Sequence, residues 1–139
     1  MLLWSHYSGS HTGYCIGFKS TELFFNESRF GSGGKVMYEE KLPIILPTDD
    51  IYGQMVKQIY TKSKVWEYED EYRVTKGGAA NQIVGFTQKE VAEIIIGASM
   101  KESDIKYVVS ICKCNFPAIP IFKTIVVPRT FDLGFIQIA

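Results

Sequence analysis

Cysteine is scarce: only Cys15, Cys112 and Cys114 occur among 139 residues. An odd, sparse set does not build a disulfide framework and fits a reducing compartment with idle or buried thiols. Net charge is missing too, since fifteen Lys and Arg balance fifteen Asp and Glu. The balance is also local, with 7 basic and 9 acidic side chains in residues 1–70 and 8 and 6 in residues 71–139. This argues against general nucleic-acid binding, against a polybasic membrane patch and against an acidic tail. Long apolar runs are lacking as well. Val91 to Ala98 and Ala118 to Val127 are broken by Glu93, Pro120 and Lys123, and both fall short of the roughly 20 residues of a membrane span. The opening Met-Leu-Leu-Trp-Ser-His-Tyr has neither the basic nor the apolar region of a signal peptide, so a cytoplasmic protein is expected. There is no internal repeat, low-complexity stretch or linker, so residues 1–139 are expected to form a single domain.

What is present points to a packed core. Hydrophobic residues make up 46% and aromatic residues 14% of the chain, which disfavours disorder. A chain of this size buries roughly 68–70% of its unfolded surface. Turn signals cut the sequence into short pieces. Residues 2–8 suit one or two helical turns ended by Gly9-Ser10, and Tyr14 to Phe18 reads as a strand. Ser20 is placed to cap a short turn through Phe25. Gly31-Ser32-Gly33-Gly34 reads as a loop and Lys35 to Glu39 as the strand after it. Pro43 and Pro47 bound an apolar extended piece, after which Thr48-Asp49-Asp50 caps a helix. That helix carries Ile51, Met55 and Ile59, with Tyr52 and Val56, at helical spacing.

Further on, Trp66 to Thr75, Gln82 to Phe86 and Glu93 to Ile96 read as strands. Ser99 to Cys114 has helical spacing through Ile105, Val108, Val109 and Cys112. Pro117 and Pro120 lead into a strand at Ile121 to Val127, and Phe131 to Ile138 closes the chain. Strands and helices do not alternate regularly. The expected class is therefore α+β, with a mixed or mostly antiparallel sheet of about five to seven strands and two to three helices.

The densest polar group is Trp66-Glu67-Tyr68-Glu69-Asp70-Glu71-Tyr72-Arg73-Val74. As a continuous strand it puts Trp66, Tyr68, Tyr72 and Val74 on one face and Glu67, Glu69, Glu71 and Arg73 on the other. Three carboxylates on one face repel, which favours protonation of at least one unless Arg73 or a lysine offsets them. A carboxylate tuned in this way, beside a guanidinium, suits a general base or an anchor for a sugar hydroxyl. A half-buried strand with a solvated acidic face fits the same residues. A helical start would instead bring Trp66 and Glu69 to one side and break the single acidic face.

Lys62 and Lys64 precede this stretch, placed either to bind a phosphate or to balance the carboxylates. The second group is Trp4-Ser5-His6-Tyr7, followed by Ser10-His11-Thr12-Gly13. His6 suits proton transfer or polar anchoring, and equally a core histidine bonded to backbone. Ser5 beside His6 in sequence does not make a triad, because nucleophile and base must meet in space. Gly31 to Gly34 lacks the Lys-Ser/Thr and the following helix of a phosphate loop. Cys112-Lys113-Cys114 forms no zinc-type spacing with His6, His11 or Cys15, so no metal is expected.

The two polar groups resemble the bacterial family called domain of unknown function 2971. One block reads Trp4-Ser5-His6-Tyr7 through His11, Gly13, Tyr14, Cys15, Ile16 and Phe18; the other reads Lys62, Trp66, Tyr68, Glu69, Glu71, Tyr72, Arg73. Lys35-Val36-Met37-Tyr38 is similar to the family's Val-x-Tyr strand and Ile94-Ile95-Ile96-Gly97 to its Ile-x-x-Gly strand. The resemblance implies a further segment ahead of the first block, with a His-Tyr-Thr-like stretch. On that reading residues 1–139 are the C-terminal portion of a larger family domain. A homo-oligomer, or a partner supplying that segment, is then expected.

More loosely, Glu69-Asp70-Glu71 is similar to the E-x-E pair of ADP-ribosyltransferase sites. That likeness implies a transferase or hydrolase using NAD or another small nucleotide, in a toxin or phage-defence setting. Glu71 then orients the ribose, Glu69 engages the acceptor and Arg73 supports the pair. His6 acts beside them, with Trp4, Ser5, Tyr7, Lys62, Lys64 and Trp66 contacting ligand. The alternatives are a non-catalytic ligand- or protein-binding module and a truncated remnant inactive alone.

Overall fold

A computed structural model describes residues 2–20 and 32–139. In chain order its regular elements begin with α1 (Leu2–Tyr7), β1 (Tyr14–Phe18), β2 (Ser32–Lys35), β3 (Met37–Glu39), α2 (Ile51–Ile59) and β4 (Thr61–Ser63). After a 3-10 segment over Lys64–Glu69 come β5 (Tyr72–Thr75), β6 (Val91–Ile96), α3 (Glu102–Asn115), β7 (Ile121–Val126) and β8 (Leu133–Gln137). The class is α+β, and the eight strands divide into one four-stranded sheet and two two-stranded sheets among the described residues. The chain forms two compact units, one over residues 1–23 and 85–139 and the other over residues 24–84. No helix among the described residues is long and apolar enough to cross a membrane.

The first unit is built on the sheet β1-β6-β7-β8. β6 and β7 are parallel and joined through α3, as a parallel pair requires a long crossover. β1 and β8 flank them antiparallel. The apolar spacing of α3 does what it foretold. Ile105 and Cys112 are buried against Val91, Ile94 and Ile96 of β6 and Ile121 of β7, with Val108 and Val109 packed alongside. Phe86 adds a stacked contact to Phe116 and an edge-on contact to Phe18. Cys112 belongs to this core and burial pushes its thiol up; the Cys15 thiol on β1 is raised by partial desolvation and by the charge of Glu93, and both are free.

The second unit contains a smaller parallel pair, β3 with β4, joined through α2, and an antiparallel pair, β2 with β5. Asp50 caps α2, its Oδ1 accepting from Gly53 N at 2.6 Å. Asp50→Ala is expected to cost about 1 kcal/mol, seen as a lower urea midpoint.

Four sequence expectations change here. The glycine run is a strand over Ser32–Lys35, not a loop. Its Gly33 and Gly34 pair with Val74 and Arg73, and Gly34 lies beneath the buried Tyr60 ring, about 3.4 Å from where a Cβ would stand. Glycine in a strand here marks close approach. Lys35 to Glu39 is not one strand, because the chain changes partners at Val36. Val36 N donates to Glu71 O and Met37 N to Tyr60 O.

Trp66 to Thr75 is likewise not continuous. A 3-10 segment ends at Asp70, which sits in the left-handed region at φ 42° with its N–H bonded to Glu67 O. β5 begins only at Tyr72. Gln82 to Phe86 forms no strand: Ile83 is fully exposed, and only Phe86 at its end meets the first unit's aromatic residues. The turn expected from Ser20 to Phe25 lies largely outside the described residues.

Candidate functional site

The acidic stretch of the second unit folds around one lysine. Because a 3-10 helix repeats every three residues, Trp66 and Glu69 project from the same side. Lys62 on β4 meets both. Its Nζ pairs with Glu69 and lies 5.2 Å from the Trp66 ring centroid, a cation–π distance. The reversal at Asp70 then returns Glu71 to the same ammonium, at 3.2 Å from Glu71 Oε2.

Glu71 and Arg73 keep the period-two relation read from the sequence. Arg73 Nε donates to Glu71 Oε1 at 2.5 Å and Nη2 to Oε2 at 3.1 Å. Its Nη1 donates to Ile59 O in the last turn of α2, where a cation complements the carbonyl end of a helix. Two carboxylates and two cations thus link α2, β4, the 3-10 segment and β5 with no net charge.

Electrostatics follow from this geometry. The Arg73 hydrogen bonds, aided by Lys62, hold the Glu71 carboxyl below the usual glutamate range despite partial burial. The same contact raises the Arg73 guanidinium. Arg73 and Lys62 therefore supply the offset that like-charge repulsion called for. Both Glu71 oxygens accept hydrogen bonds from cations, which favours the ionised carboxylate. Lys64 pairs with Glu67 at 3.3 Å on the surface, where an ion pair contributes little.

One participant escaped the sequence reading. Tyr38 accepts the Glu71 backbone N–H on its phenol oxygen at 2.8 Å. Its sequence signal is the tyrosine of the Val-x-Tyr strand, whose phenol no local pattern ties to the acidic stretch.

Lys62 also lines a cleft of about 410 Å³ in this unit. Its walls include Glu39, Glu40, Lys41, Leu42, Ile45 and Lys57. Lys57 is held by Asp49 Oδ2 at 2.6 Å and by Ile44 O at 3.0 Å. That bond, with the Leu46 N–H, keeps the Asp49 carboxyl below its ordinary range. Among the described residues no carboxylate pairs with Lys41.

Trp4, Ser5, His6 and Tyr7 lie on α1 in the first unit. His6 and Tyr7 contact edge to face at 6.5 Å between ring centroids. Ser5 bonds not to His6 but to His11, Oγ to Nε2 at 3.1 Å. Gly9, Ser10 and His11 are successive left-handed residues, and this loop is held by Thr12 Oγ1 donating to Gly9 O and Gly13 N to Ser8 O. It docks on the end of β6 through Gly97 N to Gly13 O and Ser99 N to His11 O. The first block thus forms a short helix followed by a loop docked on β6. Among the described residues, no three His, Cys, Asp or Glu stand close enough to hold a metal ion.

These features define an α+β protein whose second unit carries an ionic clasp beside a lysine-bearing cleft. The family model for Protein of unknown function (DUF2971) matches residues 3–74, just over half of the chain, and the chain belongs to that family. The match spans both polar blocks and ends before Ile94 to Gly97. No curated protein and no solved structure matches the chain.

Proposed function

We propose that the second unit is a binding module for a small nucleotide, seated in the cleft beside Lys62, with Glu69, Glu71 and Arg73 serving as the clasp that positions that wall. The observation that carries this reading is the full occupation of Glu71 by Arg73 and Lys62, which favours a positioning role over proton transfer. The cleft has the size of a small-ligand site, for which about 300–1,000 Å³ is usual. Lys41 supplies positive charge for phosphates, Leu42, Pro43 and Ile45 an apolar wall for a base, and Glu39 and Glu40 acceptors for ribose hydroxyls. The Trp4-Ser5-His6-Tyr7 block belongs to the first unit, and the proposed site is confined to the second.

A second reading, transfer or hydrolysis at the glycosidic bond of an NAD-type nucleotide, is favoured by one property of Glu71. A carboxylate kept ionised is suited to offset the positive charge of a ribosyl transition state. Calorimetric titration with ADP, ATP, ADP-ribose and NAD separates the two. Saturable binding is expected, weakened about tenfold by Lys41→Ala, with no nicotinamide release. Absence of heat at millimolar nucleotide contradicts the binding reading. Nicotinamide release that disappears in Glu71→Gln replaces it with the catalytic one.

A further inference from the structure

We propose that β8 is a dimer seam, its outer edge pairing antiparallel with the β8 of a second copy about a two-fold axis at Phe135. Among the described residues β8 ends the order β1-β6-β7-β8, with β7 as its neighbour on one side only. Val127 N donates to Asp132 O and Ile138 N to Ile121 O, so the even-numbered residues turn their backbone groups toward β7. Alternation along an antiparallel ladder then sends the N–H and C=O of Leu133, Phe135 and Gln137 outward.

Exposed edges of this kind are usually blunted by charge, proline or a bulge. Leu-Gly-Phe-Ile-Gln has no charge and no proline, and it pairs with β7 through five consecutive residues. Phe135 is 57% and Ile136 49% exposed, so the edge is apolar on both faces of the sheet.

The occupant is set by how this strand meets itself. A two-fold at Phe135 places Phe135 opposite Phe135, a favourable cross-strand pair. Leu133 then faces Gln137, and Gly134 faces Ile136, where the glycine leaves room for the branched side chain. No charged residue falls within the seam, so no like charges meet. An isologous contact of this kind closes at two copies. Exposed Val126 and Phe131 flank the edge. The seam nevertheless falls near the low end of specific interfaces, about 1,200 Å² in total, and dissociation in the micromolar range is expected.

Sedimentation velocity from about 1 to about 500 µM chain should show the mass rising from one copy to two. Phe135→Pro removes an outward N–H, a position where proline is tolerated, and Phe135→Lys sets two like charges face to face. Each should raise the dimer dissociation constant more than about tenfold, with the circular dichroism and melting temperature of dilute protein unchanged. Should Phe135→Pro unfold, Phe135→Lys alone gives the reading. A monomer at every concentration, a dimer indifferent to the folded variants, or assembly beyond two copies would overturn the proposal.

Discussion

Gly97→Ala is expected to lower the melting temperature of the chain by more than about 10 °C. A Cβ at residue 97 would stand 2.1 Å from His11 O, 2.7 Å from His11 C and 2.9 Å from Gly13 O. All three are backbone atoms, so no side chain can swing aside. Relief requires the loop to retreat, and that breaks Ser99 N to His11 O at 3.0 Å and Gly97 N to Gly13 O at 2.9 Å. Gly9, Ser10 and His11 already hold left-handed conformations, which leaves the loop few alternatives. A cost above about 3 kcal/mol follows from overpacking with lost hydrogen bonds. Gly77→Ala is the control, since nothing lies within 4 Å of its Cβ, and a change under about 1 kcal/mol is expected there. Thermal melts by circular dichroism check both. A fall of only a few degrees for Gly97→Ala would mean that the loop is not seated as described.

Arg73→Ala is expected to destabilise the second unit by about 2 kcal/mol. The substitution leaves Glu71 with Lys62 alone and removes the donor to Ile59 O. The Arg73 and Glu71 side chains are 29% and 28% exposed, so water recovers part of the loss and the estimate stays below the range for a fully buried pair. Arg73→Lys keeps the charge but not the two-pronged geometry and should fall between the two.

The pH dependence has a definite sign. Glu71 has a folded pKa below its unfolded value because Arg73, then Lys62, bond its ionised form. Its contribution is complete above the unfolded pKa, near about 4.3, and is lost as pH falls through the folded value. Urea midpoints of wild type and Arg73→Ala should therefore be well separated near neutrality and should converge in acid. A separation that stays constant down to about pH 2 contradicts the ion-pair account.

The parts of the fold legible in the sequence are those set by local periodicity. The stripe of α3, the Asp50 cap, the strand at Tyr14 to Phe18 and the proline-led entry to β7 each follow from spacing within one element. The misread parts depend on distant partners. A glycine run reads as a loop until the Tyr60 ring and β5 are seen to lie against it. Alternating acids fit both a continuous strand and one with a helical start, and the 3-10 segment over Lys64–Glu69, ended by Asp70 in the left-handed region, follows the second pattern.

The candidate site divides in the same way. Glu71 and Arg73 are two residues apart, and strand spacing alone puts them on one face. Lys62, Glu69 and Trp66 come together only through the 3-10 segment, and Tyr38 joins from β3. In the first block, Ser5 finds His11 and not its sequence neighbour His6, because the left-handed loop turns the chain back onto α1.

Whether the acidic cluster positions or reacts is decided most directly by titrating NAD into wild type and Glu71→Gln while recording melting temperature and nicotinamide release. Gln keeps the shape and one acceptor but not the charge. The account predicts a lowered melting temperature, an NAD affinity weakened several-fold, up to about tenfold, as the wall loosens, and no nicotinamide released by either protein. An unchanged melting temperature with binding or release lost in Glu71→Gln would contradict it and assign the chemistry to Glu71.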